Sequence, residues 1–542
     1  MFKSGRLALA LLLAFVLFPM YAQPSTDKPD QPSDQTPPPI KLNVTETLVD
    51  FGKEQPIGVD LYASPDLNHL AWLVFSKNKE GTKQAMVLDG VVGPEFDEID
   101  KRTVVFSPDS KRLAYIAKKK KKSIVVVDGA AGKEYDNIVG FPLILFSPDS
   151  KRFAYIAEQG KNRLVVVDGE EGEKYTMTGM CVAFSPNSKR YAYYAAVEDE
   201  WFTVIDGVEG KRYDGVQPEK ERPGICPAGV TSPIFSPDSK RVAAILYWGN
   251  HLHVIVDDYD GRGYMRSFVF SPDSQHFAYV AGSGEKMVVV VDGKPGAKCD
   301  YIGEEGIFFS PDSQRVAYIL RKIVSSSSTT AHLVVDGVEG NPYQSVGPPV
   351  FSPDAKRIAY WAYKDNKFLC IVDGVDGNGY EPSKTIRDQK ACISNPVFSP
   401  DSKRVAYWVR RGDNCLCVID GKEGKEYNRV SLPIFSPDSR RVVYTVVGRT
   451  KAFVVVDGVE GPLFDYVGKP VFTSDSQHLV YGGTNEEHVS FIFVDGASVK
   501  TSGTYVPNSS HIYDSPTKFH YLITRRVDKS IQVYRVDIEI TK

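Results

Sequence analysis

The 542-residue chain has no Gly-x-Ser-x-Gly nucleophile elbow and no His-Glu-x-x-His helix. Neither serine-hydrolase nor zincin chemistry has a sequence to act through. No Cys/His group has the spacing of a closed zinc site, and the nine histidines are scattered. After Gln23 no stretch holds a 3.6-residue apolar period, which excludes a helical core. The formal net charge is only −3, from 65 Lys and Arg against 68 Asp and Glu. A nucleic-acid binder needs a basic field, and this composition supplies none.

Cysteine is also scarce. The seven present are an odd number, so at least one thiol lies outside any intramolecular pair. Cys370 and Cys417 stand where other segments place Val125, Val165, Val289 and Val454, and so read as small buried hydrophobes. Cys226 and Cys392 fall in the two longest connections, where local pairing and simple packing are both open.

What the chain has in abundance is repetition. "LFSPDSKRFAYIAEQGKNRLVVVDGEEGEKYT" from Leu145 repeats the parts that precede it from Val104, in the same order. The turn serine recurs at Ser64, Ser107, Ser147, Ser185, Ser236, Ser271, Ser310, Ser352, Ser399 and Ser436, with Thr473 and a decayed Ser515 completing twelve units 35 to 51 residues apart. A second marker holds the same frame. Ten aspartates, Asp128 and Asp168 among them, are each followed seven residues later by an aromatic, except that Asp292 is followed by Cys299.

Each unit reads as four strands. Ser-Pro-Asp-Ser is a tight turn, "RLAYIA" and "SIVVVDG" are strands, and Asp-Gly tolerates the positive φ of a hairpin. One such sheet cannot bury its own faces, whereas copies stacked radially can. The expected fold is all-β: a β-propeller of twelve four-stranded blade repeats. Propellers usually have four to eight blades, which favours two six-bladed rings, 40–303 and 304–542. One twelve-bladed ring, closed by "KLNVTETLVDF", is the alternative, and no linker separates units six and seven.

The N-terminus suggests the compartment. Lys3 and Arg6 precede an apolar run from Leu7 to Phe18, short for a membrane span and suited to a signal peptide over 1–22 cleaved after Ala22. A retained anchor is the other reading. Residues 23–39, rich in Pro, Asp, Ser and Gln, form a disordered linker. These features predict a periplasmic or extracellular protein without stable membrane insertion after cleavage.

"FSPDSKRLAYIA" followed by "VVVDG" resembles the WD40-like, TolB-type propeller repeat of bacterial exported proteins, over roughly Lys41 to Ile540. The resemblance implies blades, and it makes Ser107, Pro108, Asp109, Asp128 and Gly129 turn residues rather than catalytic ones. Asn187, Ala355 and Thr473 depart from the pattern, and "VDGxxGxxY" is unusually regular. A fold used for many purposes does not name its ligand.

Uniform positions mark framework, and divergent loops are the place for recognition. The loops after the second strand diverge most, and they share an end of the blade with the long fourth-to-first connections. Candidate partner-binding residues there are Lys118, Lys119, Lys120, Lys121, Lys122, Trp201, Trp248, Lys364, Arg410 and Arg411. Trp361 and Trp408 share a second-strand register and read as core. His251 with His253, and Asp257, Asp258 and Asp260, are incomplete as metal sites; no metal or other cofactor is expected. The function expected is a non-catalytic exported scaffold for a protein or cell-envelope partner, with a carbohydrate-binding or hydrolytic enzyme using an axial pocket as the alternative.

Overall fold

The computed structural model describes residues 41–541 apart from 50–60, 79–80, 199, 215–231, 249–250, 258, 264–267, 284–285, 326–327, 383–391, 486–489, 502–503, 506–511 and 528–529. The proposed signal peptide and linker lie outside the described residues, as does Cys226. The described strands form twelve separate antiparallel sheets of four or five strands. Numbered along the chain, blades 1 to 12 span 61–96, 98–135, 137–175, 177–214, 234–263, 268–295, 301–339, 345–376, 397–423, 429–460, 466–501 and 504–541.

In blade 2 the second strand, Leu113–Lys119, pairs with the third, Lys122–Val127, in the register Ala114↔Val127 through Lys119↔Lys122. Both strands are buried on both faces, because each blade is sandwiched between two others. They read as continuous apolar runs for that reason, instead of alternating. The fourth strand, Ala130–Tyr135, is exposed except at Tyr135.

The turns follow from their residues. Ser107 Oγ donates to Asp109 Oδ1 at 2.7 Å, Arg112 N donates to Ser107 Oγ at 3.0 Å, and Ser110 takes a φ of 68°. Asp128 and Gly129 both have positive φ, 53° and 78°, as a two-residue hairpin turn needs. Asp168 and Gly169 repeat this at 56° and 86°.

Blades are joined by hydrogen bonds between turns. Asp109 N donates to Ser150 Oγ of blade 3 at 2.9 Å. The same bond links Asp66 to Ser110, Asp149 to Ser188, Asn187 to Ser239, Asp238 to Ser274 and Asp273 to Ser313. It returns from Asp354 to Ser402, Asp401 to Ser439 and Asp438 to Ser476. At the seam between blades 7 and 8, Ala355 stands in the serine position and offers no hydroxyl.

Apolar packing follows the same order. Every blade shares a buried cluster with the next, including blade 6 with blade 7 through Cys299, Tyr318 and Leu320. Blade 12 packs on blade 1 through Leu522 and Val533 against Leu70 and Trp72. His520 Nε2 lies 2.9 Å from the Asp66 carbonyl, and Arg535 bonds to Asn68. The N-terminal strand Lys41–Leu48 pairs along Tyr534–Thr541 and completes blade 12.

Two six-bladed rings would require blade 6 to pack on blade 1 and blade 12 on blade 7. The seams instead close after twelve blades, as in the single-ring alternative. The boundary at 303/304 also falls inside the strand Tyr301–Phe309, and residues 40–541 form one compact unit.

The aromatic seven residues after the turn aspartate fills these seams. Tyr135 and Tyr175 are 1% and 2% exposed. Their rings meet Tyr155 and Tyr193 of the next blades edge-on, with centroids 6.1 and 6.4 Å apart. The Tyr135 hydroxyl donates to Glu171 at 2.9 Å; burial, first of all, pushes its pKa up. Tyr135→Ala is therefore expected to cost about 3–5 kcal/mol, whereas Tyr466→Ala, at a residue 67% exposed, should change stability by less than about 0.5 kcal/mol. Equal urea midpoints for the two variants would contradict the packing role.

Candidate functional site

Each blade has two ends. One carries the Ser-Pro-Asp-Ser and Asp-Gly turns. The other carries the hairpin between the second and third strands, together with the passage to the next blade.

The sequence-predicted site residues fall at or next to this second end, in blades 2, 4, 5, 8 and 9. The lysine hairpin of blade 2 is partly neutralised by its surroundings. Lys118 Nζ lies 3.0 Å from Glu98, Lys119 3.8 Å from Glu134 and Lys122 2.6 Å from Asp136. Lys120 occupies the hairpin tip with a φ of 56°, its N–H donating to Asp97, and Lys121 is exposed. The Asp97 carboxyl is held low by hydrogen bonds from Lys83 and from the Lys120 amide.

Lys364 is exposed in blade 8, opposite Lys367. In blade 9, Arg411 pairs with Glu423 at 2.6 Å and Glu426 at 3.1 Å and lies over the Tyr380 ring. Arg410 NH1 donates to the Asp413 carbonyl at 3.2 Å. Trp201 is half-buried opposite Tyr213. Trp248 ends its strand opposite His251, and its side chain is outside the described residues. Lys118 to Lys122 and the Arg410–Arg411 pair lie five blades apart by the shorter way round the cycle. They share an end of the fold but not a continuous basic patch.

The other end holds a group that the sequence reading missed. Five residues after the turn serine, eight blades place Arg and four place His, His520 of the decayed last unit among them. Arg112 Nε donates to Asp128 Oδ2 at 2.8 Å in its own blade. Its NH1 donates to the Ser150 and Lys151 carbonyls of blade 3, at 3.2 and 2.7 Å, and its guanidinium lies 5.3 Å from the Phe146 ring centroid.

Arg152, Arg190, Arg241, Arg315, Arg357 and Arg404 repeat the bond to the turn aspartate and the reach to the next blade's carbonyls. In blades 1, 6 and 11, His69, His276 and His478 bond the same aspartate at 2.6–2.7 Å. The constant five-residue offset was the available signal. The aspartate before glycine thus shapes a turn and also anchors a clamp between sheets.

The remaining candidates resolve into structure. Asp257 accepts from Arg241 at 2.8 Å and Asp260 lies 2.6 Å from His253 Nδ1, so both carboxylates of the candidate cation loop are already engaged; Asp258 is outside the described residues. Trp361 is buried beside Cys370. Cys370, Cys392 and Cys417 are buried free thiols, and burial pushes Cys370 and Cys417 up to about 12. Among the described residues, Asp514, His520 and Asp537 bring three ligand atoms within 4.8 Å. Both His520 ring nitrogens are bonded, to Asp514 and to the Asp66 carbonyl, and Arg535 holds Asp537. This group belongs to ring closure.

No protein-family description and no curated protein matches the chain. Among solved structures, a eukaryotic initiation factor aligns at 13% identity and TM-score 0.31, over 66% of this chain and 96% of that one. TolB from Acinetobacter baumannii aligns at 14% and 0.21, over 58% and 81%. The tricorn protease aligns at 11% and 0.23, over 87% and 58%. Likenesses at this level assign neither family nor activity, and the propeller architecture rests on the strands and seams above. The clamp is directly testable. Arg404→Ala should lower unfolding free energy by about 1.5–3 kcal/mol, and Arg404→Lys should recover only part of it, because an ammonium cannot span both partners. Full recovery by lysine in a denaturant titration would contradict the bridging geometry.

Proposed function

We propose that the chain is a non-catalytic exported scaffold that binds a protein or cell-envelope partner through the loops at the hairpin ends of its blades. The observation that supports this reading is the division between the two ends. At the turn end, serine, aspartate and arginine form nearly the same bonds in blade after blade, leaving little with which to discriminate one ligand. At the hairpin end the residues differ from blade to blade: lysines in blade 2, Gly160 and Lys161 in blade 3, Asp365 and Asn366 in blade 8, Gly412 and Asp413 in blade 9. A rigid frame with unlike loops at one end suits recognition of an irregular surface. The partial neutralisation of the lysines by Glu98, Glu134 and Asp136 means that shape and mixed polarity contribute alongside net charge.

Export is inferred from the N-terminal segment, and no helix among the described residues is long and apolar enough to cross a membrane. The hairpins are interchangeable in register: Lys119↔Lys122 in blade 2 corresponds to Gln159↔Asn162 in blade 3. Replacing Lys119–Lys122 by Gln-Gly-Lys-Asn, together with Arg410→Gln and Arg411→Gln, should alter stability by less than about 1 kcal/mol, as expected of exposed charges and pairs. Retention of partners from the native envelope fraction should fall. Unchanged retention at low and moderate salt would remove these residues from the binding surface.

A further inference from the structure

Blade 7 differs from its neighbours on its outer half. Four residues before the turn aspartate, other blades bury an aliphatic side chain, as at Ile124, Leu164 and Leu416, whereas blade 7 places His332. Two residues earlier stand Lys122, Asn162, Lys367 and Asn414 in other blades and Thr330 in this one. Alternate residues of a strand share a face, so Thr330 and His332 lie side by side on the third strand, Ser328–Val335. Glu339, opposite Val334 on the fourth strand, joins them on that face.

The tautomer of the ring follows from its neighbours. His332 Nδ1 lies 3.0 Å from Glu339 Oε1 and 3.2 Å from the Gly340 carbonyl oxygen. Both only accept, so in a ring with a single hydrogen Nδ1 carries it. Nε2 then presents its lone pair to Thr330 Oγ1, 2.9 Å away, and the hydroxyl donates to it. Lys322 Nζ bonds both Glu339 oxygens, at 2.6 and 2.7 Å, which fixes the carboxylate against the ring. His332 is 7% exposed. Thr330 is half-buried next to the exposed Ser328 and Thr329, which leaves an approach from the hairpin end. Blade 5 has the same dyad, His253 with Asp260 at 2.6 Å, but puts His251 where blade 7 has Thr330.

We propose that Thr330 is an acyl-acceptor site for small activated esters, its hydroxyl activated by His332. A hydroxyl donating to an imidazole that a carboxylate orients is the arrangement that makes a nucleophile of an alcohol. Thr330 Oγ1 attacks the ester carbonyl carbon while His332 Nε2 takes the hydroxyl proton. The bond from that carbon to the leaving oxygen then breaks, and His332 returns the proton to the departing alkoxide. Thr330 keeps the acyl group as an ester and one alcohol is released, with no redox change. Glu339 acts through the ring, as a positioning residue. The transfer modifies the scaffold once per molecule and does not depend on the partner-binding loops.

The test uses the whole protein with p-nitrophenyl acetate as probe, the acetylated residues being located over time by peptide mass spectrometry. Thr330 should be acetylated about a hundredfold faster than Thr329, or more, the gain typical of general-base assistance. His332→Leu, which installs the residue of blades 3 and 9, should remove that advantage, and Thr330→Ser should keep it. Glu339→Gln should slow acetylation at Thr330 by about tenfold or more while that of the exposed Lys121 stays unchanged, a difference that a merely structural effect does not produce. If His332→Leu does not fold, His332→Gln, whose amide cannot take up the proton, serves in its place. Equal acetylation of Thr330 and Thr329, an unchanged rate in the folded His332 variant, or acetyl groups resting on His332 instead of Thr330 would each overturn the proposal.

Discussion

Everything in this fold depends on the seam between adjacent sheets. A four-stranded blade whose two central strands are apolar on both faces has no stable existence alone. It needs a neighbour on each side, and the supply of neighbours ends only when the stack closes. Three contacts, all made between the same repeat positions, form the typical seam. A tyrosine pair fills it, the turn amide donates to the next serine, and an arginine spans from its own turn aspartate to the next blade's carbonyls. The aspartate before glycine therefore carries more than its turn.

This constraint also places variation. Residues at the turn end are committed to their neighbours, so changing one disturbs a seam. Residues at the hairpin end are committed mainly to their own strands. That asymmetry lets Lys119–Lys122 and the Arg410–Arg411 pair differ from the corresponding residues of other blades without changing the frame. Where a framework position does vary, the consequence is local: Ala355 withdraws a hydroxyl from one seam, and at Ala244 the buried ring comes from Tyr194 of the neighbouring blade instead.

Much of the blade was legible in the sequence because its determinants are local. The positive φ at Asp128 and Gly129, the serine turn and the burial of Tyr135 follow from residues a few positions apart. The ring count was not legible. A seam bond such as Asp109 to Ser150 has the same chemistry whichever two blades it joins, so repeat spacing alone cannot separate closure after six from closure after twelve. The deciding contacts, Leu522 with Leu70 and Lys41–Leu48 along the final strand, join opposite ends of the chain. The lysine run looked like an isolated charge block because Glu98, Glu134 and Asp136 are distant along the sequence but adjacent in the sheet. The arginine clamp was hidden beside residues that read simply as turns, since its carbonyl partners lie in the next repeat.

Closure after twelve blades is the central claim, and cysteine pairs distinguish it from closure after six. Arg112 reaches Lys151 across an ordinary seam; the position equivalent to Lys151 in blade 1 is Asn68, and the position equivalent to Arg112 in blade 6 is His276. Treatment with a flexible thiol-reactive bis-maleimide able to span the length of an arginine side chain, followed by peptide mass spectrometry, should link Asn68→Cys to Arg535→Cys, whose parent side chains touch, and should leave Asn68→Cys unlinked to His276→Cys. A cross-link between positions 68 and 276, with none between 68 and 535, would contradict the single closed cycle.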